Sequence, residues 1–387
     1  MDGKAGMKES WLSPVKSVCR QVVLVSLPLA VWLSGPVTCA RELTDMTGRT
    51  VEVPARITKV VALGGALRFV TYLQALDLVA GVENVECKWR SPGRLYGLAT
   101  AAKAAELPVV GEGGPGRLPD FEQLVALWPD VIITMGIAPA QVRTIQQKTG
   151  IPVFALHYGP TGVLDLGRAR VAVQLLGQLL SRQERAQSLL AYLDTLTADL
   201  QQRSVSVPVG ETPAIYVGGL SFKGAQGITS TSSLYAPLAW IGAGNVASDL
   251  GPPGHYFIDP EKLLVWDPEI IFLDAGSFGR VGADYSKNRG FYQKLRAFRE
   301  GRVFLTLPYN YYHTNIEIAL ADAYFIGKVL HPARFADIDP AAKADEIFRF
   351  FIGQPGYRQL AKEYHGGFGR LETDADALAP AAHPNAQ

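Results

Sequence analysis

The apolar positions between Ser181 and Ser204 have the spacing of one helical face. Six of them recur at i, i+3, i+4 and i+7 spacing: Ala186, Leu189, Leu190, Leu193, Leu196 and Leu200. Ser181 and Glu184 have the spacing of a capping box, and Pro208 stops the helix from continuing. The pattern predicts one long helix of roughly 33 Å, at about 1.5 Å per residue.

The sequences on either side of this helix resemble each other. Asp120–Ile133 has the pattern of a capped helical turn, a proline break and a buried strand, and Asp259–Phe272 repeats that order 139 residues later. Two further pairs of segments match in the same order: Val153–Leu180 with Val303–Leu330, and Val60–Gly65 with Ala214–Gly219. The duplication indicates two related halves.

Short apolar runs bounded by turn residues predict the strands of each half. They are Lys59–Leu63, Leu78–Val82, Asp130–Thr134 and Val153–Leu156 in the first half, and Ala214–Val217, Glu269–Leu273 and Val303–Leu305 in the second. Helical patterns alternate with these runs. We therefore predict an α/β fold of two doubly wound, Rossmann-like lobes joined by a single long α-helix, with a ligand cleft between the lobes.

The N-terminus has the features of a targeting segment. Lys8, Lys16 and Arg20 precede the apolar run Val22–Leu33, which is short for a membrane span, and Thr38–Ala40 offers a small-residue cleavage site. We expect cleavage after Ala40 and an extracytoplasmic, periplasmic protein. The alternatives are an uncleaved signal anchor, or lipid attachment at Cys39 in a poor sequence context.

This interpretation divides the chain into five segments. They are a signal peptide over 1–40, a first lobe over 41–180, the linking helix over 181–206, a second lobe over 207–370 and a tail over 371–387. The tail is rich in Ala, Pro and Asp, a composition that predicts disorder.

Composition narrows the class of protein. The 387 residues are 48% hydrophobic, enough for two cores, and the formal net charge of +1 gives no sign of a nucleic-acid binder. Signal cleavage would leave Cys87 as the single cysteine, which rules out an internal disulfide. We expect Cys87 to be a small buried hydrophobe, with a reactive thiol as the alternative.

The long loop from Glu83 to Leu118 is rich in glycine. Gly111–Gly116 matches G-x-G-x-x-G letter for letter, but Pro115 lies within it and the next helix starts only near Asp120. A dinucleotide fingerprint needs the motif between a strand and the helix that it opens. We therefore interpret the motif as a mobile glycine loop and not as a nucleotide site.

Ligands of doubly wound sheets bind beyond the carboxyl ends of the strands. Collecting the side chains at those ends gives the candidate ligand-binding residues Arg68, Trp89, Arg90, Arg94, Tyr96, His157, Tyr158, Phe222, Tyr235, Tyr256, Ser277, Tyr309, Asn310, Tyr311, Tyr312 and His313. The same ends carry Gly64, Gly65, Gly136, Gly218, Gly219, His255 and Phe278. No catalytic residue is assigned.

The run Tyr309–His313 is the sharpest local signal among these. Its aromatic residues follow neither helical nor strand periodicity, and tyrosine combines a large apolar body with a hydroxyl group. The arginines can bind carboxylate or phosphate groups, although single arginines are commonly solvated. His157 and His313 lie at equivalent strand ends and could approach each other.

Glu122 and Glu261 occupy matching positions in the repeat. Each falls in the first turn of a predicted helix, where the helix dipole favours an acid. The duplication also places them at matching tips of the two lobes, as a symmetric acidic pair.

Taken together, these features resemble the periplasmic substrate-binding proteins of ABC importers for ferric siderophores, haem and cobalamin. The resemblance rests on the order of Leu43–Pro54, both Glu-x-Leu…Pro-[Asp/Glu] segments, Gly244–Val246 and Leu330–Phe335. It implies a fold of two lobes bridged by one helix, and it implies that Glu122 and Glu261 dock onto an inner-membrane permease that works with an ATPase.

The functional expectation is capture of a ligand without chemistry by a monomer with no covalent cofactor. An iron chelate of the ferric-siderophore type leads, followed by haem or a corrinoid with His157 or His313 as axial contact, and then molybdate or tungstate. A secreted two-lobed enzyme is the competing class, although no nucleophile elbow, phosphate loop or metalloprotease motif is present.

Overall fold

An antiparallel hairpin and a parallel sheet form the first lobe. A computed structural model describes residues 40–88, 93–159, 163–204 and 213–372, which belong to one compact unit. The hairpin consists of β1 (Ala40–Thr44) and β2 (Thr50–Pro54). The sheet contains β3 (Val60–Gly64), β4 (Val79–Gly81), β5 (Val131–Met135) and β6 (Val153–Leu156). Its order is β4-β3-β5-β6, with every pair parallel.

Helices cover both faces of this sheet. They are α1 (Ala66–Tyr72), α2 (Asn84–Lys88), α3 (Tyr96–Glu106), α4 (Phe121–Leu127), α5 (Pro139–Thr149) and α6 (Leu166–Leu179). All residues of β3, β5 and β6 are buried, as expected for parallel strands covered on both sides. The predicted loop between residues 83 and 118 is partly wrong, because α2 and α3 form within it.

The long helix α7 (Gln183–Ser204) follows the first lobe. Five of the six predicted apolar positions are buried and Leu190 is half-buried, so one stripe of α7 packs into the core. The predicted capping box is wrong. Ser181 has a φ of 55°, two residues before the helix begins, which is incompatible with an N-cap conformation.

The second lobe repeats the central strands of the first. Its strands are β7 (Ile215–Gly218), β8 (Ser230–Ser232), β9 (His255–Phe257), β10 (Ile270–Asp274), β11 (Val303–Thr306) and β12 (Gly369–Arg370). The main sheet has the order β7-β10-β11-β12, in which β12 alone is antiparallel, and β8 pairs with β9.

Eight helices of the described chain complete this lobe. They are α8 (Ala236–Trp240), α9 (Pro260–Trp266), α10 (Phe278–Lys287), α11 (Arg289–Tyr292), α12 (Arg296–Arg299), α13 (Ile316–Leu330), α14 (Pro340–Ile352) and α15 (Tyr357–Glu363). The predicted fold class, two α/β lobes joined by one long helix, is confirmed.

The sequence-based segment boundaries remain predictions, and the elements fall within them except for β1, which begins at Ala40. The first sheet lies inside 41–180, α7 inside 181–206 and the second sheet inside 207–370. The predicted signal peptide, apart from Ala40, and most of the predicted tail lie outside the described residues. Within the described residues, no helix is both long enough and apolar enough to cross a membrane.

Candidate ligand-binding site

Glycines surround an imidazole ring at the carboxyl ends of β3 and β5. Gly64 and Gly136 have φ angles of 63° and 70°, a region that favours glycine. A β-carbon at Gly65 or at Gly136 would lie 3.0 Å from the ring of His313. The strand ends of the first lobe therefore enclose a side chain that comes from the second lobe.

The chain from Tyr309 to Asn315, named here the crossing segment, makes this contact between the lobes. Tyr312 donates its hydroxyl hydrogen to Glu83 Oε2 at 2.9 Å, and the Thr314 amide donates to the Tyr158 hydroxyl at 3.0 Å. Asn315 Nδ2 donates to the carbonyl oxygen of Gly93 at 3.0 Å. These bonds fix the crossing segment against the first lobe.

Arg68 anchors the same segment from helix α1. Its Nη2 donates to the carbonyl of Tyr312 at 2.7 Å and to that of Tyr311 at 3.3 Å, and its Nε donates to Asn315 Oδ1 at 3.1 Å. The side chain is fully buried. Asn315 is the N-cap residue of α13 but makes no capping bond with its side chain, because that side chain is engaged here.

A second buried arginine binds a carboxylate of its own lobe. Arg94 Nη1 lies 2.7 Å from Glu86 Oε2, and the Tyr96 hydroxyl donates to the same carboxylate at 2.9 Å. The Arg68 guanidinium carbon lies 4.7 Å from the centre of the Tyr96 ring. In this conformation Arg68 and Arg94 bind protein groups, which differs from the exposed anion contacts expected from the sequence.

The backbone is strained at the centre of the crossing segment. Tyr312 and His313 are consecutive residues with φ angles of 47° and 66°. Left-handed conformations at non-glycine residues cost on the order of 1–3 kcal/mol each and cluster at ligand clamps and switch regions. Burial, with a contribution from Arg68, lowers the pKa of His313 to about 4, so its imidazole is neutral.

Glu83 is the acid at the base of this contact. Burial raises its pKa to about 7, against the opposing effect of the hydrogen bonds that it accepts from Tyr312 and from the Gly64 amide, the latter at 2.8 Å. A carboxyl group with this pKa changes charge near neutral pH. Glu83 was missed from the sequence, although its place directly after β4 was a usable signal.

A different arrangement, named here the aromatic shelf, is formed by Phe222 from the loop after β7 and by His255 and Phe257 of β9. The rings of Phe222 and His255 stack with centroids 4.2 Å apart and planes 9° apart. Phe257 lies edge-on to His255 at 4.7 Å and 73°, and it is 59% exposed. Lys223 Nζ lies 5.6 Å from the Phe222 ring centre. Phe257 and Lys223 were missed from the sequence because neither follows a main strand directly.

Other candidate residues are engaged within their own lobes. Tyr235 and Tyr309 are buried with ring centroids 5.4 Å apart, and Ser277 Oγ accepts from the Gln226 amide at 2.9 Å. Tyr256 donates to the Pro252 carbonyl at 2.9 Å.

The remaining candidates lie near the crossing segment or outside the described residues. Asn310 Oδ1 accepts from the Thr314 hydroxyl at 3.0 Å, and Tyr311 packs beside Gly93. His157 Nε2 lies 3.3 Å from the Met46 carbonyl, and within the described residues no hydrogen bond or ring contact joins it to His313. Trp89 and Arg90 lie outside the described residues.

Two further expectations concern single residues and metals. Cys87 is half-buried, and its thiol lies 3.5 Å from the Ala104 carbonyl. Among the described residues, no group of three or more His, Cys, Asp or Glu side chains is arranged to hold a metal ion.

The paired glutamates occupy equivalent surface positions. Glu122 lies in the first turn of α4 and Glu261 in the first turn of α9, and both side chains are exposed. Two residues after each glutamate, a fully buried leucine packs its helix against the core: Leu124 in α4 and Leu263 in α9. The docking role of the pair remains a prediction.

Comparison with known proteins identifies relatives of the same fold. The molybdate-binding protein MolA of Haemophilus influenzae is 23% identical over 331 residues, covering 80% of this chain and 90% of the relative. Its structure with molybdate matches with a TM-score of 0.64 and 20% identity, covering 81% of this chain and 98% of that one. The TroA-like periplasmic binding protein FepB of Veillonella parvula matches with a TM-score of 0.62 and 20% identity, covering 81% and 97%.

A family model described as periplasmic binding protein matches residues 92–309, more than half of the chain. That match spans the first lobe from α3 onward, the whole of α7 and the second lobe as far as the start of the crossing segment. The chain therefore belongs to the periplasmic binding protein family.

Proposed function

We propose that this protein is an extracytoplasmic binding protein that captures a metal chelate of the ferric-siderophore type and passes it to an ABC importer. The aromatic shelf is the observation that carries the proposal. It is a half-open group of rings at a strand end, where ligands of such sheets bind, and it suits a ligand with organic surface.

The crossing segment supplies the second part of the binding mechanism. It connects the shelf-bearing lobe to the first lobe through Arg68, Glu83 and Tyr158. A ligand that contacts both lobes favours the conformation for which it has the higher affinity. The buried polar bonds between α1 and the crossing segment oppose wide separation of the lobes, so we propose that ligand entry changes the distance between the lobes only modestly.

Delivery is the role that we propose for the surface glutamates. Binding proteins of this family work with a permease and its ATPase, and Glu122 and Glu261 offer one exposed carboxylate on each lobe. Such a pair complements a two-fold partner that carries arginines, and the contact should weaken with salt. We propose a periplasmic location, which is where proteins of this family act.

Molybdate is the second candidate ligand. The observation in its favour is the similarity to MolA, a molybdate-binding protein. Against it, the buried Arg68 and Arg94 already bind protein groups in the described conformation. Arg68 keeps one buried donor, Nη1, without a hydrogen-bond partner among the described residues, and a single donor is fewer than a small oxyanion needs.

Calorimetric titration of purified residues 41–387 tests the proposal. The probes are a ferric trihydroxamate, a ferric catecholate, haem, cobalamin and molybdate, each at matched ionic strength. We expect saturable one-to-one binding of a ferric chelate. Binding of molybdate alone would replace the first candidate by the second, and binding of none of the five would overturn the proposal.

A further inference from the structure

The three rings of the aromatic shelf form a corner. Phe222 and His255 are nearly parallel, whereas Phe257 makes angles of 78° and 73° with them. A further aromatic ring placed in such a corner lies parallel to one wall and edge-on to the other. These are the two arrangements that aromatic pairs favour.

Hydrogen bonding determines which nitrogen of His255 carries the proton. Ser230 Oγ lies 2.6 Å from the Leu220 carbonyl, so the single hydroxyl hydrogen is donated there. Ser230 Oγ also lies 2.7 Å from His255 Nε2, and it must therefore accept a hydrogen bond from that nitrogen. Burial lowers the pKa of His255 to about 4, so the ring is neutral at pH 7. Nδ1 is consequently left with a free lone pair.

The surroundings of the shelf complete its chemistry. Among the described residues no group hydrogen-bonds to His255 Nδ1, and the side chain is only half-buried. Lys223 places an exposed ammonium group beside the Phe222 ring. One corner thus offers aromatic surface, a hydrogen-bond acceptor and a positive charge.

We propose that the aromatic shelf binds an aryl group that carries an acidic substituent and a hydroxyl group that does not coordinate the metal, as in a hydroxybenzoate. The aryl ring packs against Phe257 and the Phe222–His255 stack, its hydroxyl donates to His255 Nδ1, and its negative charge lies near Lys223. This inference names a ligand class for the proposed chelate-binding function and rests on that function for its biological setting.

Matched probes distinguish recognition of the aryl ring from recognition of the metal. The probes are the ferric complexes of 2,3-dihydroxybenzoate and of acetohydroxamate, together with metal-free 2,3-dihydroxybenzoate and benzoate. We expect Phe257→Ala to weaken both dihydroxybenzoate probes by about 3- to 10-fold and to leave the acetohydroxamate complex unchanged. Trp128→Ala is the control, because Trp128 is 61% exposed on the other lobe and should change no affinity.

His255→Phe tests the acceptor while it keeps an aromatic ring. We expect the preference for 2,3-dihydroxybenzoate over benzoate to fall to about one, with benzoate binding retained. Thermal melts of each variant check folding, and the exposure of Phe257 predicts an unchanged midpoint for Phe257→Ala.

The outcomes distinguish the two proposals. If the wild-type protein binds no ferric complex but binds 2,3-dihydroxybenzoate through Phe257, the chelate-binding function fails and the aryl site stands. Equal weakening of both ferric complexes by Phe257→Ala, weakening of neither, or no binding of any aryl probe by the wild-type protein would overturn the aryl site.

Discussion

The two lobes share a frame and differ at their strand ends. Strands β3, β5 and β6 of the first lobe correspond in order and direction to β7, β10 and β11 of the second. Beyond these strands, the first lobe encloses the neutral imidazole of His313 between glycines, whereas the second presents the half-open aromatic shelf.

This difference shows how a duplicated frame acquires two roles. The first lobe binds the crossing segment through buried polar groups and so fixes the position of that segment. The second lobe offers exposed rings, and so it supplies contact area for a ligand. The contrast follows from the loops, since core strands tolerate few polar residues while loops carry function.

Among the variants considered, Arg68→Ala should have the largest effect, because it removes the anchor of the crossing segment in the first lobe. We expect a loss of about 4 kcal/mol in the free energy of unfolding, because Asn315 Oδ1 and the Tyr312 carbonyl lose a buried, charged donor. Denaturant unfolding measures the loss. The control is Arg170→Ala, which removes a partly exposed ion pair with Asp194 and should cost about 1 kcal/mol or less. Equal losses in the two variants would contradict the anchoring role of Arg68.

Alanine at two strand-end glycines compares the lobes directly. At Gly64 the new β-carbon would meet the Met135 carbonyl oxygen at 2.5 Å in a left-handed conformation, so we expect a loss of about 3 kcal/mol. At Gly219 the nearest atom to the new β-carbon is 3.4 Å away, which is an ordinary contact. The only cost there is the left-handed backbone conformation, so we expect a loss of about 1 kcal/mol. Chemical denaturation measures the free energy of unfolding of both variants. A larger loss for Gly219→Ala than for Gly64→Ala would contradict the prediction.

The buried acid of the first lobe should make stability depend on pH. The pKa of Glu83 is raised to about 7, so the fold prefers its protonated form. Its contribution is full below about pH 4.5 and is lost as the pH rises to 7. The stability of the wild type relative to Glu83→Gln should therefore fall by about 2 kcal/mol between pH 4.5 and pH 8.

The variant difference is the measurement that isolates Glu83. His313 acts in the opposite direction, because its lowered pKa removes stability as the pH falls from about 6.5 towards 4. Subtracting the two unfolding curves cancels that common effect. A difference that stays level across the range would show that Glu83 is not the buried acid described here.

The surface glutamates should have the smallest effect on the fold. Glu122→Ala and Glu261→Ala should each change the free energy of unfolding by less than about 0.5 kcal/mol and leave ligand affinity unchanged. Transport into cells should fall in both variants and further in the double variant. Glu106→Ala, an exposed glutamate on α3, is the matched control. Normal transport by the double variant would remove the docking role.

Hydrophobic periodicity predicted the frame of the molecule well. Val153–Leu156 forms the predicted strand and Gln183–Ser204 forms most of the predicted long helix, because their apolar patterns match elements buried in the core. Local signals were weaker at the helix ends. Ser181 had the spacing of a cap but not its conformation, since spacing does not determine backbone angles.

The candidate site was predictable in location but not in its pairings. Strand ends pointed to His313 and Phe222, yet nothing in the order of residues indicated that Arg68 would bind the carbonyls of Tyr311 and Tyr312. These partners are more than 240 residues apart in the chain. Contacts at such separation depend on how the lobes pack.

The sequence alone determined the duplication, the alternation of strands and helices and the single linking helix, because repeated patterns of apolar residues specify which faces must be buried. Only the tertiary structure decided which polar groups meet. The tautomer of His255 and the buried state of Glu83 and Arg68 depend on hydrogen bonds and desolvation that arise when distant segments pack together.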